Sequence, residues 1–143
     1  MPVGLVVVSH STALADAAVV LARSMLPGRE VAVEVAAGDV DGGLGTDATA
    51  IAEAITAADS GDGVVVLMDL GSAVLSAETA LELVDEDIRE RAVLSPAPLV
   101  EGLIGAVVTA AAGATRTQVA GEALLGLAPK QAHLSGGPAV GGR

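Results

Sequence analysis

The sequence contains no Phe, Tyr or Trp, and no Cys. Without Phe, Tyr or Trp, stacking on a nucleobase or a flavin by these aromatic side chains is ruled out. The core must be built from Val, Leu, Ile and Ala, and such a core needs many small contacts of the kind that regular sheet-and-helix layers supply. Without cysteine, disulfides, thiolate nucleophiles and Cys-based metal sites are excluded. With only two histidines, His10 and His133, far apart in the chain, no metal site is expected. Cations are scarce too. One lysine (Lys130) and six arginines stand against 18 acidic residues, for a net charge of −11. Nucleic-acid binding needs clustered basic residues to neutralise phosphates, so that class is excluded. An acidic surface still steers a basic protein partner. Long apolar runs are also missing. Val3–Val8 is too short for a signal peptide, and Met1-Pro2 ahead of it has no basic region. Leu103–Ala114 contains Thr109 and two glycines and falls short of a membrane span. The expectation is a cytoplasmic protein with no membrane partner.

What is present describes one compact domain. The chain has 143 residues, 52% hydrophobic and 17% charged, which is not the composition of a disordered chain. Val3–Val8 reads as a strand buried on both faces, as in a parallel sheet. Thr12–Met25 carries Leu14, Ala17, Ala18, Leu21 and Met25 at helical spacing, and Pro27-Gly28 ends that helix. Glu30–Val35 alternates and reads as a second strand nearer the sheet edge. Gly38–Gly45 is a loop with four glycines and two aspartates, followed by a helix over Thr46–Asp59. Val64–Met68 is a third buried strand. Ala73–Leu83 reads as a helix, Ala92–Ser95 as a short strand, Leu99–Ala112 as an apolar helix and Thr117–Leu125 as an amphipathic one. Residues 1–127 thus form the domain, and 128–143 read as a Pro- and Gly-rich disordered tail. Strands alternating with helices predict an α/β fold: an open, mostly parallel four-stranded sheet flanked by helices.

In such sheets, sites lie in the crevice at the carboxyl ends of the strands. Three segments reach it: Ser9-His10-Ser11, Gly43-Leu44-Gly45-Thr46 and Asp69-Leu70-Gly71-Ser72. If the strands before His10 and Asp69 are neighbours, the two side chains come within hydrogen-bond reach. A carboxylate on one ring nitrogen fixes the tautomer and leaves the other nitrogen as a nucleophilic lone pair. A phosphoryl group arriving there would meet helix N-termini and loop amides, which bind phosphate oxygens without Lys or Arg. Sites without strong cations suit transient carriage better than tight nucleotide binding. No P-loop and no GxGxxG follows the first strand. His133, in the Gly-rich tail, reads as an exposed bystander. Taken singly, each of these residues has a structural explanation: a histidine after a strand, a helix cap, an ordinary loop.

At these residues a resemblance appears. Gly4–Ser11 (GLVVVSHS), Asp69–Ala73 (DLGSA) with Glu78, Pro98–Gly105 (PLVEGLIG) and Ala110–Ala114 (AAAGA) resemble the DhaM family, the phosphotransfer subunits of phosphoenolpyruvate-dependent dihydroxyacetone kinase. The resemblance runs from about Pro2 to Leu125. The family is similar in fold to the mannose-type IIA domains of the sugar phosphotransferase system, usually homodimers. The resemblance implies that His10 is the phosphorylated residue and that Asp69 assists it, with Ser11, Gly45, Thr46, Gly71 and Ser72 around the phosphate. It implies a phosphoryl donor, the phosphocarrier HPr, and an acceptor, ADP held with Mg²⁺ on the partner subunit DhaL, with DhaK carrying the dihydroxyacetone. This chain itself would hold no cofactor. Asp-Leu-Gly-Ser-Ala replaces the Asp-Leu-Phe-Gly-Gly-Ser of mannose-type domains, which favours the dihydroxyacetone branch. Some relatives carry fused HPr-like and enzyme I-like domains; this chain ends at Arg143 without them, so the donor is expected in trans. The competing readings are a sugar-transport IIA domain, a non-catalytic ligand-binding or regulatory module on the same fold, and a structural dimerisation domain. An apolar Leu99–Ala112 helix needs cover on more than one face, either from its own subunit or from a second one; the resemblance favours the homodimer.

Overall fold

The computed structural model describes residues 2–26 and 28–136. Four parallel strands, β1 (Gly4–Ser9), β2 (Val33–Ala37), β3 (Val64–Met68) and β4 (Ala92–Ser95), form one sheet in the order β2-β1-β3-β4. Helices α1 (Thr12–Arg23), α2 (Ala48–Ala58), α3 (Gly71–Leu81), α4 (Glu86–Glu90), α5 (Leu99–Ala111) and α6 (Arg116–Leu124) cover it. A 3₁₀ turn (Leu125–Leu127) leads into α7 (Ala128–Leu134).

Because successive strand residues face opposite sides, β1 splits its apolar run between two cores. Leu5 and Val7 join Val65 and Leu67 under α1, α5 and α6. Val6 and Val8 join Val66 and Met68 under α2 and α3. All these strand residues are buried, which is why β1 and β3 read as continuous apolar runs. The helices meet the sheet largely through alanine: Ala15, Ala18 and Ala22 on α1, Ala73, Ala77 and Ala80 on α3, Ala106 and Ala110 on α5. Small contact residues bring helix axes close and fill the space that aromatic rings would otherwise occupy.

The chain leaves β1 on one face to make β2, then crosses to the other face to make β3. The boundary between β1 and β3 is therefore the point where the strand order reverses. His10 follows β1 and Asp69 follows β3. The parallel ladder pairs Val8 with Met68 and continues through the Asp69 N–H, which donates to the Val8 carbonyl at 3.1 Å.

Several expectations shift. The second strand begins at Val33 rather than Glu30 and ends at Ala37, although Val31, Val33 and Val35 do share the α1/α5 core. The short helix α4 has no counterpart in the sequence reading. Helix α1 stops at Arg23, and Pro27 lies outside the described residues. The expected disordered tail from 128 is corrected: Ala128–Leu134 is helical, with Pro129 in the first turn, and Lys130 forms an ion pair with Glu101 of α5. Residues 137–143 of that expected tail lie outside the described residues. The apolar α5 is covered by its own chain: the sheet lies beneath it and α1 and α6 beside it. Its sequence pattern therefore does not by itself call for a second subunit.

At the opposite end of the sheet from His10, Arg91 clasps Asp59 at 2.6 and 3.3 Å, fastening the end of α2 to the start of β4. The Arg91 hydrogen bond is the main reason the Asp59 carboxyl sits below its ordinary range. Nearby, Gly4 is required by close approach. A Cβ there would lie 2.1 Å from the Ala58 carbonyl oxygen, a backbone atom that cannot swing aside. Gly4→Ala is expected to lower stability by about 1–3 kcal/mol, the usual range for overpacking. Chemical denaturation measures it, and an unchanged midpoint would contradict the packing described.

Candidate functional site

The site is built on the first residues beyond β1 and β3. Ser9 is the last residue of β1 and fully buried; His10 follows at the surface with its side chain 25% exposed. Asp69 follows β3 directly, with its side chain 8% exposed. His10 Nδ1 lies 2.9 Å from Asp69 Oδ1. The other carboxylate oxygen, Oδ2, accepts from the His10 backbone N–H at 2.9 Å and from the Ser9 hydroxyl at 2.9 Å. Oδ1 also accepts from the Leu70 N–H at 2.7 Å.

A carboxylate is an acceptor only, so the Nδ1 facing it carries a proton, and in the neutral ring Nε2 carries the lone pair. Nε2 points to the opening, 2.6 Å from Ser72 Oγ. With Nδ1 protonated, that hydroxyl donates to Nε2. Ser72 is in the first turn of α3, whose N-cap, Leu70, has no side chain to cap it. The Gly71 and Ser72 N–H groups are therefore first-turn donors beside Nε2. Helix α1 also starts here, capped by Ser11, whose Oγ accepts from the Leu14 N–H at 3.2 Å. Two helix N-termini thus converge on one histidine and favour negative charge there.

The glycine loop enters differently from the expectation. The Gly45 N–H donates to the His10 carbonyl at 2.9 Å, so that amide is committed to holding the histidine backbone and is not aimed at Nε2. Thr46 Oγ1 lies 2.6 Å from Ser76 Oγ on α3, tying the loop to that helix. Asp39 organises the loop interior by accepting from the Asp41 and Gly43 N–H groups. The Ser11 N–H is likewise used, on Ser9 Oγ at 3.0 Å. The site therefore brings His10, Asp69, Gly71 and Ser72 together, with Ser11 at the edge and Gly45 and Thr46 behind as a brace. His133 lies on α7, exposed, in neither group. Sequence reasoning did not single out Ser9. Its only signal was a hydroxyl at the end of an apolar strand.

Five of the arginines are placed away from this end, while Lys130 is paired with Glu101 at the start of α5. The guanidinium groups of Arg23, Arg29, Arg89, Arg91 and Arg116 bond to Val31, Ala111, Leu81, Asp59 and the Arg91 carbonyl, all toward the amino ends of the strands. No group of three or more metal-ligating side chains occurs among the described residues.

Residues 4–120 match the family described as PTS system fructose IIA component, EIIA-man. The chain belongs to this family. Its curated relatives are named as phosphoryl donor subunits DhaM of PEP-dependent dihydroxyacetone kinase. The relative from Pantoea ananatis is 51% identical over 134 residues, and that from Escherichia coli 45%, each match covering 92% of this chain and 28% of the relative. This EIIA-man chain thus spans just over a quarter of the length of those two proteins. A Listeria innocua relative, dihydroxyacetone kinase 2 DhaM, is 39% identical over 74% of this chain and 84% of its own length, so within EIIA-man the chain belongs to the DhaM group. Among solved structures, an unknown-function protein (EF1359) superposes with a TM-score of 0.76 at 36% identity, covering 87% of this chain and 94% of that one. A sigma-54 interaction domain protein from Enterococcus faecalis shares the fold, with a TM-score of 0.69 at 15% identity over 93% and 96% of the two chains.

The electrostatics of this EIIA-man site centre on Asp69. Burial alone would raise its carboxyl. The His10 N–H, the His10 ring and the Ser9 hydroxyl outweigh that and hold it below the ordinary aspartate range. A folded-state pKa lower than the unfolded one stabilises the fold above the unfolded value, and the contribution is lost as pH falls through the folded one. Stability is therefore expected to decline from about pH 4 downward. Asp69→Asn should show a shallower decline across that acid window than wild type. Parallel stability–pH curves for the two proteins would contradict the hydrogen-bonded carboxylate.

Proposed function

We propose that this chain is the phosphohistidine carrier of a phosphoenolpyruvate-dependent dihydroxyacetone kinase. In this reading His10 accepts a phosphoryl group from HPr and passes it to ADP held with Mg²⁺ on DhaL, for use on the dihydroxyacetone bound to DhaK. The observation that carries the proposal is the His10–Asp69 contact, with Nδ1 engaged and Nε2 at the surface, hydrogen-bonded only to Ser72 Oγ in the first turn of α3.

The chemistry follows from that geometry. The Nε2 lone pair attacks phosphorus, the bond from phosphorus to the donor's nitrogen breaks, and that electron pair stays with the donor. The Nδ1 proton remains in place throughout. The imidazole gains positive character on accepting the group, and the Asp69 carboxylate 2.9 Å away offsets it. Ser72 Oγ gives up its bond to Nε2 and turns to a phosphoryl oxygen, joined by the first-turn N–H groups of α3. None of these donors is a fixed cation, so the phosphorylated form is not held in a deep well and can give the group away. Cationic charge, including Mg²⁺, comes from the partner that takes it.

The DhaM names of the relatives support the dihydroxyacetone branch over a sugar-transport IIA role. No described helix is long and apolar enough to cross a membrane, which accords with a cytoplasmic carrier. A homodimer is part of the proposal. The exposed Val108, Leu124 and Leu125 line an open groove of about 830 Å³ along α5 and α6 and offer an apolar face for a second copy.

Three measurements test this. Incubation with phosphoenolpyruvate, enzyme I and HPr should place acid-labile phosphate on wild type and on His133→Gln, and none on His10→Gln; label persisting in His10→Gln would overturn the assignment. Labelled protein should then lose its phosphate to ADP-loaded DhaL and keep it with free Mg·ADP or a mannose-type IIB domain. Loss to the IIB domain alone would establish the sugar-transport reading. Light scattering at micromolar concentration should give twice the chain mass, and a monomer mass would overturn the dimer.

A further inference from the structure

Ser9 is buried, adjacent to the reacting histidine, and touches neither Nε2 nor the opening. Its hydroxyl oxygen accepts from the Ser11 N–H at 3.0 Å. That fixes the direction of its own proton, which goes to Asp69 Oδ2 at 2.9 Å. The other three donors to Asp69 are the His10 N–H, the Leu70 N–H and the His10 ring. Two of these are backbone groups that any side chains would supply. Ser9 is the one side chain besides His10 that holds the carboxylate, and it acts on the oxygen that does not face the ring.

We propose that Ser9 is a positioning residue for His10: by donating to Asp69 Oδ2 it fixes the carboxylate plane, and through it the Nδ1–H tautomer and ring orientation that present Nε2 to the phosphoryl group. This rests on the carrier reading above. A carboxylate has about four lone-pair sites, and here each oxygen receives two donors. A fully occupied carboxylate has no direction in which to rotate and no site left for a proton. Removing the Ser9 hydroxyl leaves a buried lone pair on Oδ2 and an unpaired Ser11 N–H. The carboxylate can then turn about its Cβ–Cγ bond to recover a donor, and the ring loses its fixed partner. Its neutral form then divides between the two tautomers, and the Nε2–H form has no lone pair at the opening.

The test uses the full chain labelled with ¹⁵N at histidine, with His133→Gln serving to assign the His10 signals. In alkaline buffer an imidazole carries one ring proton, and long-range ¹H–¹⁵N spectra report which nitrogen holds it. Wild type should show the Nδ1–H form. Ser9→Ala should show a mixture, and its single-turnover phosphorylation by phospho-HPr should slow by about tenfold, the scale of a lost hydrogen bond to a charged group. Ser9→Thr keeps the γ-hydroxyl and should restore the ring signature. If Ser9→Ala does not fold, Ser9→Cys keeps the shape with a weak donor and should show the same changes, smaller in size. An unaltered ring signature in a folded Ser9→Ala or Ser9→Cys variant would overturn the proposal, as would a mixed signature with an unchanged rate. Absence of phosphate on wild-type His10 would overturn the carrier reading instead, and the ring signature would still decide whether Ser9 orients the histidine.

Discussion

The Asp69 carboxylate is the point on which the site depends. It sits at the end of β3 and collects donors from β1, from the histidine ring and from the turn into α3. Those donors come from segments about 60 residues apart in sequence, and they converge because β1 and β3 are adjacent and in register. A shift of one residue in that pairing would reverse the faces of every side chain on the shifted strand and separate Asp69 from His10. The two buried cores on either side of the sheet hold the register, so packing energy far from the site determines the geometry at Nε2.

The composition and the chemistry constrain each other. A core of Val, Ile, Leu and Ala packs helices close to the sheet, and the helices that follow β1 and β3 begin right at the crevice. Their N-termini supply the positive end of a dipole where a phosphoryl group would sit. The five arginines among the described residues are anchored at the other end of the strands. Negative charge on the group would therefore be balanced by dipoles and hydrogen bonds, which suits the proposed role of His10 in receiving and releasing it.

Buried strands were legible because both faces carry apolar side chains. Val64–Met68 is buried along its whole length and matches the structure to the residue, as does the half-buried edge strand Ala92–Ser95. The edge strand β2 begins three residues later than its alternation suggests: the Ala32 carbonyl still accepts from the Leu5 N–H, and Glu30 and Val31 lie ahead of the ladder with β1. Helix α4 is five residues long, too short for a period to show. Ala128–Leu134 was masked by the Gly and Pro around it, and its tether, Lys130 to Glu101, is a tertiary contact invisible along the chain. In the site, His10 and Asp69 were found because strand ends in parallel sheets are where such residues act. Gly45 was read as a phosphate-loop amide, and its N–H in fact braces the His10 carbonyl. Glycine loops look alike in sequence whether their amides face a ligand or their own backbone. Ser9 was missed because a serine ending a strand has no pattern of its own.

The central claim is that Asp69 engages Nδ1 and leaves Nε2 to react. The most direct measurement is heteronuclear NMR of the phosphorylated protein labelled with ¹⁵N at histidine, reading which ring nitrogen of His10 couples to ³¹P. The account predicts phosphorus on Nε2, with a protonated Nδ1 still hydrogen-bonded to the carboxylate. Phosphorus on Nδ1 would contradict it, because that nitrogen could accept the group only after the His10–Asp69 contact had been broken.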